Sequence, residues 1–430
     1  MKLRIYHAWI LTMEEKRPVF EGELHVENDR ITYVGENPGR EALSAEGPFD
    51  REIDAGGNLL MPGFKNAHAH SAMTFLRSYA DDLPLDEWLN CQVFPMEAKL
   101  DEEKIYWLAQ LAFLEYLTSG ITAAFDMYLI PDAVGKAAWD FGFRTVLVGA
   151  MNNFCQSPED EERCFRLWNR PGDLVSYRLG FHAEYTTSRE RMEALADLAH
   201  RFRAPVFAHN SETEKEVREC IGRYGKTPTQ VMEALGLFDY GGGGYHCIWL
   251  SPEDFEIFRR RGLFAVTCPG SNAKLASGIA PVAEFLCRGI PVAVGTDGAA
   301  SNNCLDMFRE MFLVTGLSKL RERDASAVPA KQVLRMATVG GARAMGLKEC
   351  ETLTPGQKAD LIMIDLHQPN MHPLSDPEKN LVYSGSKQNV CLTMVDGKIL
   401  YENGRFRTAV DPELIYEKAE EILRETAAAQ

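Results

Sequence analysis

The sequence predicts an α/β protein in which a (β/α)₈ TIM barrel is joined to a small β-sandwich domain. Eight short apolar runs follow one another within residues 57–355, and amphipathic stretches separate them. Strands that alternate with helices indicate a parallel sheet, and eight such units indicate a barrel. Strand-like segments recur at both ends of the chain. We therefore expect residues 1–56 and 356–430 to form the smaller domain together, with a helix at the C-terminus.

The apolar runs are the predicted barrel strands. Parallel strands that are covered on both faces are continuously apolar, whereas half-exposed strands alternate. Helical patterns lie between the runs, as in Lys104–Thr118, which ends near Gly120, and in Arg189–Arg201. The eight runs are Leu59–Phe64, Ile121–Phe125, Thr145–Val148, Tyr177–Phe181, Pro205–Ala208, Tyr245–Ile248, Leu263–Thr267 and Pro291–Gly295.

Hairpin patterns predict the small domain. Leu24–Glu27 and Arg30–Val34 flank an Asn-Asp turn, and Val390–Leu400 contains an Asp-Gly turn. Asp360–Ile364 is a further strand pattern. The last segment begins with an aspartate followed by Pro412, a cap and the proline favoured at the first helical position, so a C-terminal helix should follow.

Composition argues against several classes of protein. The 430-residue chain has a net charge of −16, which would repel the phosphates of a nucleic acid. It contains no run of about 18 apolar residues, so we expect no transmembrane helix and no membrane partner. Its ten cysteines are scattered and include no Cys-x-x-Cys pair. That pattern indicates reduced thiols in a cytoplasmic protein rather than a disulfide framework or a cysteine metal cluster.

Residues of types that bind metals follow five of the predicted strands. Residues just beyond the C-terminal ends of barrel strands converge on one mouth, where such barrels hold their active sites. His68 and His70 are spaced by two, so both imidazoles can point to one side of an extended strand. Alone, such a pair could be two unrelated histidines near a turn. The full set favours a metal site: His68, His70, His182, His209, His246 and Asp297.

The expected metal ligands are His68, His70, His209 and Asp297. Imidazole and carboxylate ligands suit zinc, iron or manganese better than calcium or magnesium. Asp297 precedes a glycine, as many turn aspartates do, but its place at the end of a buried strand favours a metal partner. The fourth strand region, residues 176–184, lacks the lysine that commonly bridges two metals in carboxylated form, so one divalent ion is expected.

Three further residues are candidates for catalysis or substrate binding. Glu212 follows His209 by about one helical turn, which makes it the candidate proton shuttle; the alternative is a first-turn glutamate that stabilises a helix. His246 is expected to contact the metal-bound water or the developing charge, and His182 the substrate. Each of these two histidines has a purely structural role as its alternative.

Segments spread over nearly the whole chain carry a family resemblance. They are Pro62–His70, Ser71–Thr74, Tyr79–Leu85, Trp88-Leu89, His209–Thr213, Ser271–Gly278, Gly295–Asn303 and Gly356–Asp360. The first resembles the metal-binding opening of the amidohydrolase superfamily. The others are similar to the S-adenosylhomocysteine/5′-methylthioadenosine deaminase group within it.

The resemblance implies a mononuclear zinc site, with iron or manganese as alternative metals, and hydrolytic loss of ammonia from an adenine nucleoside. Metal-activated water would attack the carbon that bears the amino group. Glu212 would pass a proton to the ring nitrogen, Asp297 would orient the water or take its proton, and His246 would stabilise the attacking oxygen. Glu97 matches the position that binds ribose hydroxyls in this group; an ordinary exposed glutamate is the alternative. By analogy with relatives, a homo-oligomer is also expected.

The chain also departs from the group. Arg144 is kept as a partner for the carboxylate of S-adenosylhomocysteine, but Val148 stands where such relatives often carry a second arginine. The loss of one charged partner ranks 5′-methylthioadenosine, 5′-deoxyadenosine and adenosine above S-adenosylhomocysteine. Phe64-Lys65 and the run Gly241–Gly244 are also unusual, and the sequence assigns neither a function.

Two other functions stay open at this point. The same metal site could act on guanine, a pterin, a triazine or a cyclic amide, because loop variation changes the substrate on this scaffold. The second alternative is a non-catalytic barrel that serves as an interaction scaffold. The complete set of candidate ligands, together with Glu212, argues against that alternative.

Overall fold

The computed structural model describes residues 1–39, 41, 43, 47–170 and 172–428, and it contains the two expected units. Eight parallel strands form one sheet, in which each strand pairs with its neighbour in chain order. Nine strands from both ends of the chain form a second, continuous sheet. The prediction of a (β/α)₈ barrel with a small β-domain built from the two terminal segments is confirmed.

The chain begins with five strands of the smaller sheet: β1 (Lys2–Ile10), β2 (Phe20–Glu27), β3 (Arg30–Gly35), β4 (Arg51–Asp54) and β5 (Leu59–Pro62). β2 and β3 pair antiparallel on either side of Asn28, whose φ of 57° is left-handed. The hairpin predicted at this turn is therefore confirmed.

The run Leu59–Phe64, predicted as the first barrel strand, is divided between the two sheets. Its residues Leu59–Pro62 form β5, which pairs with β1. The barrel strand begins only at Phe64 and continues to Ala69. All six residues of this strand are buried, including the polar residues Lys65 and Asn66. Because of these polar residues, the strand does not appear as an apolar run in the sequence. The prediction is wrong at this strand, and the smaller sheet extends past residue 56.

The barrel consists of β6 (Phe64–Ala69), β7 (Ile121–Met127), β8 (Arg144–Val148), β9 (Val175–Ala183), β10 (Val206–Asn210), β11 (Gly242–His246), β12 (Phe264–Thr267) and β13 (Val292–Val294). Every predicted run after the first overlaps one of these strands. Seven of the eight predicted runs therefore correspond to barrel strands.

Three glycines of the four-glycine run belong to β11, which starts three residues before its predicted beginning at Tyr245. At Gly242, φ is 122° and a Cβ atom would lie 1.9 Å from the carbonyl oxygen of Val206. At Gly243, a Cβ atom would lie 2.4 Å from the carbonyl oxygen of Phe264. Neighbouring strands approach too closely at these two glycines for side chains, which gives both a structural role.

Lys65 also has a structural explanation. It is fully buried near the start of β6, and its Nζ donates to the carbonyl of Gly63 over 2.9 Å and to Thr122 Oγ1 over 2.7 Å. Burial lowers the pKa of this amine. Because Thr122 lies in β7, the buried lysine ties the first two barrel strands together.

Side-chain and backbone hydrogen bonds close the barrel between β6 and β13. The Asp297 N–H donates to the carbonyl of His68 over 3.0 Å. The Thr296 N–H donates to Asn66 Oδ1 over 2.8 Å, and Asn66 Nδ2 donates to Thr296 Oγ1 over 2.7 Å. The seam of the barrel is therefore built from the predicted metal ligands and their immediate neighbours.

The C-terminal segment returns to the smaller sheet as β14 (Leu361–Ile364), β15 (Val390–Val395), β16 (Lys398–Glu402) and β17 (Arg405–Phe406). β14 pairs antiparallel with β5, so strands from opposite ends of the chain lie side by side. Asp396 and Gly397 link β15 to β16 with φ values of 51° and 76°, which confirms the hairpin predicted there.

Helices connect the strands, and the two predicted helical patterns run over Glu102–Thr118 and Arg189–Phe202. The C-terminal helix begins at Pro412, as predicted, and packs against Glu102–Thr118. No helix in the described part of the chain is long and apolar enough to cross a membrane. The other α-helices whose bounds lie in the described residues are Leu85–Glu87, Phe94–Glu97, Pro131–Phe141, Pro158–Trp168, Glu214–Tyr224, Pro228–Ala234, Pro252–Arg261, Pro269–Lys274, Val282–Cys287, Ala299–Asn302, Met307–Glu322, Ala330–Arg335, Gly341–Met345 and Pro377–Tyr383.

Candidate active site

The barrel strands bring the predicted metal ligands together at their C-terminal ends. His68 lies in β6 with His70 just after it, His209 lies in β10, and Asp297 follows β13. His246, the last residue of β11, joins them. Two overlapping groups have donor atoms within 4.8 Å of one another, one of His68, His209 and His246 and one of His68, His70 and Asp297.

The donor atoms face one another at distances that suit a shared cation. The Nε2 atoms of His68 and His209 are 3.1 Å apart. Asp297 Oδ1 lies 3.2 Å from His70 Nε2 and 3.6 Å from His68 Nε2. The residues present therefore fit a divalent metal ion. A set dominated by imidazole favours zinc, iron or manganese over calcium and magnesium.

Backbone carbonyls orient two of the imidazoles. His70 Nδ1 donates to the carbonyl of Met127 over 2.5 Å, and His209 Nδ1 donates to the carbonyl of His182 over 2.7 Å. A neutral ring whose Nδ1–H is engaged in this way presents the lone pair of Nε2 to a metal. His68 is held differently, by stacking on the ring of Tyr245 with the centroids 3.8 Å apart.

Burial and charge set the protonation of the ligands. Burial lowers the pKa of His68 and of His209 well below the ordinary value, so both rings are neutral. Burial raises the pKa of Asp297, but the hydrogen bond and charge of His70 outweigh it and hold that pKa well below its ordinary range. Burial lowers the pKa of His70, yet Asp297 raises it to about 9. A binding metal ion displaces such a proton.

Glu212 and His246 form a polar group beside the ligands. Ser277 Oγ donates to Glu212 Oε1 over 3.0 Å. His246 Nε2 lies 3.8 Å from Glu212 Oε2 and 4.0 Å from Asp297 Oδ2. His246 Nδ1 donates to Asn272 Oδ1 over 2.7 Å, so Nε2 is the ring atom that faces the two carboxylates.

A cavity of about 690 Å³, including its open mouth, leads to these residues. Glu97 and His182, both predicted to contact a substrate, line it. Glu97 is only 5% exposed, and its Oε1 accepts no hydrogen bond from any described residue. Burial raises the pKa of Glu97 to about 7. It is therefore not an ordinary exposed glutamate but a buried carboxyl with unused hydrogen-bonding capacity.

The structure does not bring Arg144 to this cavity. Arg144 is the first residue of β8, at the end of the strand opposite the predicted metal ligands. Its Nε donates to Asp360 Oδ2 over 2.5 Å, and its Nη2 donates to Asp396 Oδ1 over 2.8 Å. The prediction that it binds a substrate carboxylate is wrong, because its buried guanidinium is committed to two aspartates. Val148, at the other end of β8, is buried inside the barrel and does not line the cavity.

Three supporting residues were not predicted. Ser271 Oγ and Ser301 Oγ donate to Asp297 Oδ2 over 2.6 and 2.9 Å, and Asn272 orients His246. Ser271 and Asn272 follow β12. Among the last five barrel strands, β12 is the one without a predicted histidine or carboxylate at its C-terminal end. Serine and asparagine are common in turns, so residue type alone does not mark them as part of a site.

Comparison with known proteins gives a consistent result. Residues 59–400 match the amidohydrolase family. The 5-methylthioadenosine/S-adenosylhomocysteine deaminase of Thermoanaerobacter pseudethanolicus is 37% identical over 425 residues, which cover 97% of each chain. The protein of the same name from Moorella thermoacetica is 42% identical over 402 residues, 92% of this chain and 93% of that one. The crystal structure of an adenosine deaminase from Xanthomonas campestris with bound zinc has a TM-score of 0.92 at 31% identity, covering 99% of this chain and 98% of that chain.

Proposed function

The chain belongs to the amidohydrolase family and is a hydrolytic deaminase, and from that premise we propose that it deaminates an adenine nucleoside with one bound divalent metal ion. Zinc is the proposed metal, with iron or manganese as alternatives. One observation carries the proposal: a cluster of metal-ligand types lies beside a carboxylate, at the base of a cavity lined by a buried carboxyl whose Oε1 accepts no hydrogen bond from the described residues. These residues are His68, His70, His209, Asp297, Glu212 and Glu97.

The side chains around the metal position divide the proton transfers between them. When bound, the metal lowers the pKa of a water ligand towards neutrality and so supplies a nucleophile. Asp297, held by two serines, accepts the proton of the attacking water. His246 presents Nε2 to the attacking oxygen, which bonds to the ring carbon that bears the amino group. Glu212 gives a proton to the ring nitrogen, and Asp297 passes the proton that it took from the water to the departing amino group. The remaining hydroxyl proton on the attacked carbon returns to Glu212 as the carbon–nitrogen bond breaks and ammonia leaves.

Glu97 and His182 are proposed to bind the nucleoside. A ribose diol offers two hydroxyl donors, and Glu97 has an oxygen free to accept one of them. Thr186 Oγ1 donates to a backbone carbonyl, so the 2.9 Å contact between it and His182 Nδ1 uses the ring N–H. Burial lowers the pKa of His182 to about 4. The neutral ring therefore keeps Nε2 as an acceptor for the substrate.

The test of the proposed substrate is ammonia release by zinc-loaded protein from adenosine, 5′-deoxyadenosine, 5′-methylthioadenosine and guanine. We expect turnover of the three nucleosides and little release from guanine. If metal-replete protein releases no ammonia from any nucleoside, the proposed substrate class is wrong. Guanine, a pterin, a triazine or a cyclic amide would then take its place on the same metal site.

The residue roles are tested with two variants and a matched control. Glu212→Gln should lower kcat by about 100- to 10,000-fold while the bound zinc is retained, because only proton transfer is lost. Glu97→Ala should raise KM for the nucleosides by about 10-fold or more through the loss of a ribose contact. Glu214→Gln changes an exposed glutamate two residues from Glu212 and should leave both constants within about 2-fold.

A further inference from the structure

The charges around the cavity bear on which nucleosides fit, an inference that rests on the proposed function. The carboxyl side chains that line the cavity are Glu97, Glu212 and Asp297, and the lining also contains the imidazoles of the predicted metal site. Among the lining residues that the structure describes there is no lysine and no arginine. Apolar side chains make up much of the remaining lining: Leu85, Trp88, Leu89, Phe94 and Leu129.

Several cations close to the lining residues in the sequence are bonded to other groups, among them Lys99, whose Nζ donates to the carbonyl of Thr426 over 2.7 Å. The guanidinium of Arg77 donates to Glu115 Oε2 over 2.6 Å. Lys274 Nζ donates to Asp81 Oδ1 over 2.6 Å. Arg144 lies at the opposite end of its strand. A carboxylate on the 5′ tail would lose its hydration in this lining without a lysine or an arginine as partner, so desolvation disfavours it.

We infer that the enzyme prefers nucleosides whose 5′ position carries an uncharged apolar group or none, and that it discriminates against S-adenosylhomocysteine. The methylthio group of 5′-methylthioadenosine can pack on the leucine and aromatic side chains of the lining. The zwitterionic tail of S-adenosylhomocysteine would lose bound water in this lining and find no lysine or arginine there to replace it. The name shared by the relatives contains both compounds, whereas we expect the present chain to prefer 5′-methylthioadenosine to S-adenosylhomocysteine.

The experiment compares kcat/KM for 5′-methylthioadenosine, S-adenosylhomocysteine and 5′-butylthio-5′-deoxyadenosine, which keeps the length of the homocysteine tail without its charges. We expect the butylthio compound within about 10-fold of 5′-methylthioadenosine and S-adenosylhomocysteine at least about 100-fold below both. Turnover of S-adenosylhomocysteine at the rate of 5′-methylthioadenosine refutes the inference. So does a butylthio compound as poor as S-adenosylhomocysteine, because length would then decide. Adenosine separates the two proposals, since failure with adenosine and every analogue refutes the deaminase function itself.

A gain of function gives an independent check. Leu129→Arg places a cation in the lining, and Leu129→Met is its uncharged control. The ratio of turnover of S-adenosylhomocysteine to that of 5′-methylthioadenosine should rise about 10-fold or more in the arginine variant only. An equal change in both variants contradicts the charge argument.

A second, independent observation concerns the backbone that carries Glu212. Ser211 has a φ of 54°, a left-handed conformation that serine seldom adopts. The N–H groups of Ser211 and Glu212 both donate to the carboxylate of Glu216, over 2.9 and 2.8 Å. Glu216 is 5% exposed in the first turn of the helix Glu214–Tyr224. Without this carboxylate, two buried N–H groups would have no partner.

The geometry points to Glu216 as a positioning residue for Glu212. Glu216 does not line the cavity. It holds the turn from which the side chain of Glu212 reaches Ser277 and lies beside His246. Its loss should displace the proposed proton shuttle while the metal ligands keep their own supports.

Glu216→Gln tests this role, because a glutamine can accept one of the two N–H bonds but turns its own NH₂ towards the other. We expect kcat to fall by about 10- to 100-fold, with KM within about 3-fold and bound zinc unchanged. The exposed Glu214→Gln is the matched control. Amide hydrogen exchange at Ser211 and Glu212 should become faster in Glu216→Gln, which reports on the turn whether or not the chain is a nucleoside deaminase. Unchanged exchange, or a loss of kcat that only follows a loss of zinc, refutes the positioning role.

Discussion

The Arg144→Met variant distinguishes a structural arginine from a substrate-binding one. The substitution keeps an unbranched apolar chain in place of the arginine stem and removes the guanidinium. Arg144 is 3% exposed and forms a bidentate pair with the fully buried carboxylate of Asp360, in addition to its bond to Asp396. Since Asp360 has no other cation within hydrogen-bonding distance among the described residues, the variant leaves its charge buried and uncompensated.

The expected loss of stability follows from that uncompensated charge. Removing one partner of a buried ion pair costs about 3–5 kcal/mol. For 430 residues, an unfolding entropy of about 2.1 cal/mol/K per residue gives about 0.9 kcal/mol/K. The melting temperature should therefore fall by roughly 3 to 6 °C.

Calorimetry of the zinc-loaded protein measures this shift, with Arg189→Met as the matched control. Arg189 pairs with Glu193 on an exposed helix face, and such pairs contribute only about 0.3–0.5 kcal/mol. Below the transition, kcat/KM of Arg144→Met should equal that of the wild type for every nucleoside. Wild-type stability, or a selective loss of turnover with S-adenosylhomocysteine, would refute the structural role and restore the carboxylate-binding one.

Three further predictions concern pH, metal and backbone packing. Burial raises the pKa of Glu161 to about 8, so the folded protein holds a proton that the unfolded chain releases, and stability should fall as pH rises from about 5 to 8. Glu161→Gln should remove that dependence and melt above the wild type at pH 8.5 in calorimetry; a lower melting temperature contradicts this. Dialysis against a chelator should abolish ammonia release and lower the melting temperature, and zinc should restore both; an unchanged melting temperature argues against a bound metal. Gly243→Ala, whose Cβ would lie 2.4 Å from the carbonyl of Phe264, should destabilise by about 1–3 kcal/mol in urea unfolding, whereas Gly222→Ala, with open space around it, should not.

The sequence predicts the position of the site because the position depends on topology. His68 and His209 are the next-to-last residues of buried strands and Asp297 lies just after another, and parallel strands of one barrel must end at the same mouth. The apolar runs that mark those strands need no long-range information. Their C-terminal ends therefore locate the predicted metal ligands even where the strand bounds are imprecise.

The errors come from interactions between distant segments. The first barrel strand is predicted in the wrong place because it contains two polar residues, Lys65 and Asn66, that are buried in the structure. They form hydrogen bonds with Thr122 and Thr296, and no local sequence pattern reveals these distant partners. The role of Arg144 depends on an aspartate 216 residues away. Polar residues whose partners come from another part of the chain look like surface or binding residues in the sequence.

The backbone at the site is also invisible to residue patterns. Ser211, His246 and Asp297 all have left-handed φ values, of 54°, 68° and 62°. Non-glycine residues hold this conformation at a cost of roughly 1 kcal/mol each, which the surrounding packing has to offset. Such conformations arise from tertiary structure alone, and they aim the side chains that the proposed reaction uses.

The pairing of β5 with β14 has a consequence for synthesis of the chain. About 300 residues separate Pro62 from Leu361, and ribosomes add about 5–20 residues per second. For roughly 15 to 60 seconds, one edge of a strand that is fully buried in the finished protein has no partner. An unpaired apolar edge is a template for pairing with other chains, so this is the interval in which the nascent protein is most exposed to aggregation and most in need of a chaperone. A circular permutant that begins after the barrel would reduce the separation of the two strands to about 125 residues, counted from Ile364 through the joined ends to Leu59, and shorten that interval to roughly 6 to 25 seconds.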